Sequence, residues 1–346
     1  MAVNILRLAV VFWGLVALAA QAQVPASAGL IQRSGIVASA SGKVYVVDPT
    51  HDSVSVIDAQ GGARSVKVGA KPLAIAVNDR TGAVYVANVG DRTVSILDRA
   101  DHLVATIPTA ARPYAIVCDD ATGKVYVSNT FSNLLTVIDG ATNAVSNVKV
   151  GSADALLVDA ERKKLYMMGY ESETFGAMDD ASGEVARLPT GAKHQWGFAM
   201  GGGVLYLAHV QDGSVGVFDL ATHDVVNVAT GVMPCAVAFD GAGHSLYVAN
   251  YGDGTVSFID TVGRRVVGTV VVGGHPQAIA FDGATHMVYV ADTHSGVVTV
   301  IDARSRAVRK RLQGGDRPYA LAVNAKTHRA YAADMGSTAF TELERP

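Results

Sequence analysis

This sequence indicates an all-β protein, a β-propeller of four-stranded blades, and three observations support that prediction. A Tyr-Val-x-Asn-like tetrapeptide recurs at intervals of 40 to 42 residues along the 346-residue chain. Each repeat divides into short apolar segments separated by turn residues such as Asn, Asp and Gly. The first segment of several repeats alternates alanine with larger apolar residues. A period near forty with strand-like units is typical of propellers, with one blade per repeat.

The tyrosines of the recurring tetrapeptide count the blades. They are Tyr45, Tyr85, Tyr126, Tyr166, Tyr206, Tyr247, Tyr289 and Tyr331. Eight blades are therefore preferred, and seven remain possible if a terminal repeat lies outside the ring. The last repeat stops after its third strand, and residues 30–33 precede the first repeat. We expect this N-terminal segment to supply the missing outer strand and so close the ring.

The second repeat shows the four strands in order. Pro72 precedes an apolar first strand over residues 73–77, and residues 78–82 have the composition of a turn. The second strand spans residues 83–88, the third spans residues 93–98, and a more polar fourth strand spans residues 102–108. Small residues suit the first strand, because inner strands converge on the propeller axis. The alternating alanines are Ala74, Ala76, Ala236, Ala238, Ala278, Ala280, Ala320 and Ala322.

The repeat unit is G-x-x-P, then Y-V-x-N, then T-V-S-x-I-D, as in residues 69–72, 85–88 and 93–98. This unit resembles the YVTN family of β-propeller repeats, including its exported YncE-like members, over nearly all of the chain after residue 22. The resemblance implies the propeller fold. It leaves function open, because the family includes surface-layer, periplasmic and accessory proteins, and the fold is similar to the haem-binding propeller of nitrite reductase.

The N-terminus has the pattern of an export signal. Arg7 precedes an apolar run over residues 8–20, and Ala20-Gln21-Ala22 forms a small-x-small cleavage site. We expect a cleaved signal peptide at 1–22, a single propeller domain at 23–346 without a membrane span, and a periplasmic or secreted product. Cys118 and Cys235 fall three repeats apart, so two small buried hydrophobes are expected rather than a disulfide.

A set of basic residues precedes the inner strands, where the loops should surround the mouth of the channel. The position before the usual proline holds Arg33, Lys71, Arg112, Ala153, Lys193, Met233, His275 and Arg317. Such a ring would attract an anionic small molecule or an acidic partner protein, although the chain has a net charge of −3. Tyr114 and Tyr319 each follow an Arg-Pro pair and add an aromatic surface. The alternative is that these cations only keep the surface soluble.

The same loops suggest a second kind of site. His194, His209 and His275 could bind copper or a haem iron, with Met233 or Cys235 nearby. The alternative is that Met233 and Cys235 pack in the core and the histidines are scattered. The fourth and fifth repeats depart most from the repeat pattern, and Trp196 and Tyr170 are the aromatic residues of that sector. Neutral sequence change in two repeats that tolerate substitution would explain the departure equally well.

No Gly-rich phosphate loop, nucleophile elbow or metalloprotease helix occurs in the sequence. The preferred interpretation is an exported, non-catalytic propeller that binds an anionic ligand or partner on the face carrying these loops and needs no cofactor. A metal- or haem-binding accessory protein is the second interpretation, and a propeller lactonase or lyase is the third. The net charge and the predicted export argue against nucleic acid as a partner.

Overall fold

A computed structural model describes residues 30, 31, 35–334 and 340–344. It confirms the predicted fold: the described chain is all-β, and its sheets form the eight blades of a propeller. None of the described residues forms a helix that is long and apolar enough to cross a membrane. The predicted signal peptide lies outside the described residues.

The strands follow the repeat closely. In the first half of the chain they are β1 (Leu30–Ile31), β2 (Ile36–Ala38), β3 (Val44–Asp48), β4 (Ser53–Ile57), β5 (Ala63–Lys67), β6 (Pro72–Val77), β7 (Val84–Asn88), β8 (Thr93–Leu97), β9 (Leu103–Pro108), β10 (Arg112–Cys118), β11 (Lys124–Thr130), β12 (Leu134–Asp139), β13 (Val145–Lys149), β14 (Ala155–Asp159), β15 (Lys164–Met168) and β16 (Thr174–Asp179). In the second half they are β17 (Val185–Pro189), β18 (Gln195–Gly201), β19 (Val204–His209), β20 (Ser214–Asp219), β21 (Val225–Ala229), β22 (Pro234–Asp240), β23 (Ser245–Asn250), β24 (Thr255–Asp260), β25 (Arg265–Val271), β26 (Pro276–Asp282), β27 (Met287–Asp292), β28 (Val297–Asp302), β29 (Ala307–Gln313), β30 (Pro318–Val323), β31 (Ala330–Asp334) and β32 (Phe340–Leu343).

Each blade is an antiparallel meander of consecutive strands. Blade 1 comprises β2–β5, blades 2 to 7 follow in sets of four, and blade 8 comprises β30–β32. The first strand of each blade is the inner one. The inner strand β2 contacts both β6 of blade 2 and β30 of blade 8, which closes the ring.

The hydrophobic core lies between the blades. Clusters of buried side chains join each blade to its neighbours, from Val37 and Ile75 at the boundary of blades 1 and 2 to Ile36 and Ala320 at the boundary of blades 8 and 1. The eight repeat tyrosines are between 1% and 3% exposed. Cys118 and Cys235 are free and buried in separate blades, as their positions in the repeat predict.

The N-terminal strand is not where the sequence prediction placed it. Leu30 and Ile31 pair antiparallel with Val158 and Leu157 of β14, the inner strand of blade 4. Blade 8 has three strands in the described part of the chain. The prediction that residues 30–33 complete the last blade is therefore wrong for the two of these residues that the structure describes.

The shape of β14 is compatible with this pairing. The inner strands of six other blades contain a register shift near their first residue, as between Pro72 and Ala74 in blade 2. β14 pairs with β15 without a shift, from Ala155 to Asp159, and β2 of blade 1 pairs with β3 in the same regular way. A bulge twists an edge away from a partner, whereas a regular edge accepts another strand. The inner edge of blade 4 is thus a regular edge that β1 can join.

Side chains, rather than a shared sheet, join blade 8 to blade 1. Tyr319 packs so closely on Gly35 that a Cβ at that glycine would lie 2.0 Å from the tyrosine oxygen. Asn324 donates a hydrogen bond through Nδ2 to the carbonyl oxygen of Gly42 at 2.6 Å. The ends of the described ring therefore meet across a packed boundary.

Candidate functional site

Two kinds of loop meet on one face of the propeller, which we call the top rim. It consists of the loops that lead into the inner strands and the loops that join the second and third strands of each blade. In blade 2, the backbone N–H of Val89 donates to the carbonyl oxygen of Lys71 at 3.0 Å. The equivalent bond in blade 6 joins Tyr251 to Met233 at 2.9 Å. These bonds place the loop before each inner strand beside the loop after the second strand.

In blade 5, one position of the predicted basic ring is occupied by a different residue from the one that the sequence analysis assigned to it. Gln195 pairs with His209 across the sheet, as Pro72 pairs with Asn88 in blade 2. His194, not Lys193, therefore occupies the position before the inner strand, and its carbonyl oxygen accepts the N–H of Val210 at 3.0 Å. Lys193 lies one residue earlier and forms an ion pair with Glu173 at 3.0 Å.

Three exposed cations of the predicted ring directly precede the inner-strand proline on the top rim. Lys71, Arg112 and Arg317 occupy equivalent positions in blades 2, 3 and 8, and none forms an ion pair with another described residue. The neighbouring carboxylates of Asp52 and Asp334 accept the backbone N–H groups of Lys71 and Arg317, both at 2.8 Å. The three cations are thus left facing solvent. Arg33 lies outside the described residues.

The two Arg-Pro-Tyr segments differ in exposure. Tyr319 is buried at the boundary of blades 8 and 1, and burial raises the pKa of its phenol well above the usual range. Tyr114 is half-buried in the equivalent position of blade 3, and burial raises its pKa to about 12. Tyr319 therefore serves the core rather than an accessible surface.

The other part of the top rim carries pairs of aromatic and imidazole rings. Tyr170 of blade 4 contacts His194 of blade 5, with ring centroids 5.2 Å apart, and Trp196 at 6.1 Å. Tyr251 of blade 6 stacks on His275 of blade 7, with ring centroids 4.7 Å apart. Tyr170 and Tyr251 occupy equivalent positions four residues after the repeat tyrosine, so the two pairs are related by the repeat.

The sequence analysis missed these pairs, although the sequence itself contains the signal for them. The position four residues after the repeat tyrosine is Val89 in blade 2 and Val210 in blade 5, and it is tyrosine only in blades 4 and 6. In both cases the next blade has histidine before its inner strand. Reading the two positions together across a blade boundary identifies both pairs.

The three predicted metal ligands are not brought together. His194 and His275 lie on the top rim in blades 5 and 7, whereas His209 is fully buried, with Nδ1 3.3 Å from Ser214 Oγ. Burial lowers the pKa of His209 and keeps its imidazole neutral. Cys235 is also buried, and burial raises its pKa to about 12. Within the described ranges, no three side chains of His, Cys, Asp or Glu form a group that could hold a metal ion.

Neither a protein-family model nor a curated protein matches this sequence. Many solved structures share its fold. Dihydro-haem d1 dehydrogenase NirN in complex with DHE is 18% identical, with a TM-score of 0.68 over 82% of this chain and 66% of that one. The computationally designed protein Ika8 is 14% identical, with a TM-score of 0.74 over 95% and 98% of the two chains.

A third similar structure is virginiamycin B lyase from Staphylococcus aureus in complex with quinupristin. It is 17% identical, with a TM-score of 0.62 over 78% of this chain and 93% of that one. At such identities the likeness shows the fold alone. The eight-bladed propeller is thus shown, and membership of the YVTN family stays a prediction.

Proposed function

We propose that this chain is an exported, non-catalytic β-propeller that binds a planar anionic ligand on its top rim. Lys71, Arg112 and Arg317 supply the positive charge, and Trp196 and Tyr170 supply an aromatic surface. The observation that carries the proposal is the division of one rim into an exposed basic part and an aromatic–imidazole part. Cations attract carboxylates and phosphates, and aromatic rings stack on a planar body.

Charge reversal tests this proposal. Binding of protoporphyrin IX and flavin mononucleotide, two planar anions, would be followed by fluorescence over a range of salt concentrations. We expect K71E/R317E to weaken binding about tenfold or more and to reduce its salt dependence, because each lost cation removes a favourable interaction with the anion.

The control is K163E. Lys163 is also exposed and also has a left-handed backbone, with φ of 52° against 49° for Lys71, but it lies in the turn between β14 and β15 on the opposite face. Binding that is equally weakened by K163E, or unchanged in K71E/R317E, would refute a site on the top rim.

A tetrapyrrole is the second candidate, and it would use the same rim. A haem carries two propionates and a flat ring, and histidine is a common axial ligand of its iron. His194, beside Tyr170 and Trp196, would hold such a group, and a protein of the same fold, NirN, has been solved in complex with DHE.

Titration with haemin, followed by absorbance, separates this candidate from simple anion binding. We expect H194A to abolish a shift of the Soret band that wild type produces. H223A is the matched control, because His223 is exposed in a turn of the opposite face with φ of 65° against 59° for His194. An identical Soret shift in H194A would rule out His194 as a ligand.

A further inference from the structure

A pair of histidines lies on the top rim in blade 7. His275 directly precedes β26, and His294 lies in the loop after β27. Both side chains are exposed. Their ring centroids are 5.3 Å apart, with planes inclined at 69°. Two imidazoles so close on an exposed rim can act on one ligand.

The surroundings of His275 set its tautomer. Its Nδ1 lies 3.0 Å from the carbonyl oxygen of Tyr251. A carbonyl oxygen only accepts hydrogen bonds, so Nδ1 carries the proton and the lone pair is on Nε2. The imidazole also stacks on the ring of Tyr251, which is 9% exposed. This arrangement, with one nitrogen bonded to a carbonyl and the other presenting its lone pair, is the usual state of a metal-binding histidine.

The loop that carries His294 is also held in place. Asp292 accepts the backbone N–H of His294 through Oδ1 at 2.9 Å and the hydroxyl of Ser295 through Oδ2 at 2.6 Å. The ring of His294 lies 6.2 Å from the ring of Tyr251. Tyr251 therefore contacts both imidazoles, and Asp292 is the residue that positions the second.

The separation of the two rings matches a shared metal ion. With metal–nitrogen distances of about 2.0–2.1 Å and tetrahedral angles, two imidazole centroids bound to one ion lie about 5.2 Å apart. The observed separation is 5.3 Å. The geometry points to a binding site for a late first-row divalent metal ion, formed by His275 and His294, with its other positions open to water or an external anion. Imidazole suits both zinc and copper; the tetrahedral spacing is that of Zn(II), and Cu(II), which prefers tetragonal geometry, serves as a spectroscopic probe of the same two ligands.

The inference is tested by metal titration of protein without an affinity tag. Competition of Cu(II) and Zn(II) against a chromophoric chelator gives affinity and stoichiometry, and electron paramagnetic resonance of the Cu(II) form reports the number of nitrogen ligands. We expect one equivalent to bind, with two imidazole nitrogens on Cu(II). H275A and H294A should each lower the affinity about tenfold or more.

Two controls separate this site from other effects. H194A removes the equivalent histidine of blade 5, which has a tyrosine neighbour but no second histidine in ring contact in the described chain, and should leave the affinity unchanged. H223A, which removes an exposed histidine of the opposite face, should also bind metal normally. No stoichiometric binding, a loss in only one of the two histidine variants, or wild-type affinity in H275A/H294A would overturn the inference.

Discussion

One pair of residues in blade 5 shows how a substitution at one repeat position is accommodated by a second substitution beside it. In blades 2 and 6, Asn88 and Asn250 donate a hydrogen bond to Ser95 and Ser257, both at 2.9 Å. In blade 5 the asparagine is replaced by His209, and the serine is replaced by Gly216. A Cβ at Gly216 would lie 2.6 Å from Cε1 of His209, so the glycine provides the room that the imidazole needs.

We predict that G216S destabilises the protein and that H209N restores the stability. Overpacking a buried site of this kind costs about 1–3 kcal/mol. The double variant H209N/G216S recreates the pair found in blade 2, so its free energy of unfolding should approach that of wild type. Chemical denaturation of the two single variants and the double variant gives the coupling energy. Additive effects would show that the two positions are independent.

For single residues, the sequence predicts the positions of those that follow the repeat better than the positions of those that depart from it. The repeat tyrosines are buried alike in all eight blades, and Lys71, Arg112 and Arg317 lie exposed in equivalent positions. Blade 5 could not be aligned by its proline, because Gln195 stands there instead. The strand pairing of Gln195 with His209 was needed to place His194 on the rim.

Turns on the face opposite the top rim link successive blades. Asp79 accepts the backbone N–H of Ala40 through Oδ1 at 2.8 Å, and the N–H of Asp79 donates to Asp120 Oδ1 at 2.9 Å. The turns after the inner strands of blades 1, 2 and 3 are thus joined in a series. This linkage leaves the carboxyl group of Asp120 partly buried and close to two other acidic side chains, those of Asp79 and Asp119.

We predict that Asp120 makes the protein less stable as the pH rises through the range from about 4 to 7. Burial raises its pKa from 3.8 to about 6, and the charges of Asp79 and Asp119 add to the increase, although the hydrogen bond from the backbone N–H of Asp79 and the charge of Arg80 oppose it. The folded state then holds a proton that the unfolded state has lost, so stability is greatest below the lower pKa and falls as Asp120 ionises.

D120N is the test, because its amide oxygen can still accept the N–H of Asp79. After allowance for partial exposure, we expect D120N to stabilise the protein by about 1–2 kcal/mol at pH 7.5 and to have little effect at pH 4. Denaturation curves at both pH values measure the difference. An equal effect at both would show that the charge of Asp120 is not the cause.

The strands themselves were predictable because local composition determines them. The first strand of blade 2 ends as predicted at Val77 and begins at Pro72, one residue earlier than predicted. The pairing of Leu30 and Ile31 was not predictable, since it depends on the regular edge of a distant strand, β14. Neighbouring residues in the sequence determine where a strand begins and ends, whereas the edge on which an additional strand pairs depends on the three-dimensional arrangement of the sheets.

For the whole molecule, the boundary between blades 8 and 1 is distinct because Tyr319 packs there on Gly35. We predict that Y319A costs about 3–5 kcal/mol, the usual range for truncating a large buried aromatic side chain. Y114A, in the equivalent half-buried position of blade 3, should cost less. Thermal and chemical denaturation of the two variants gives the comparison, and equal losses would mean that this boundary is no more dependent on its tyrosine than blade 3 is.

The ring also has a mechanical polarity. Because the described chain closes between blades 8 and 1 through side chains alone, no backbone ladder has to be sheared to separate them. Pulled from its two ends in an optical trap, the protein should first release the short strand β1 from β14 and then open at this boundary, both at low force. The remaining blades would then leave in sequence, each released length corresponding to one repeat, so the force trace itself would count the blades.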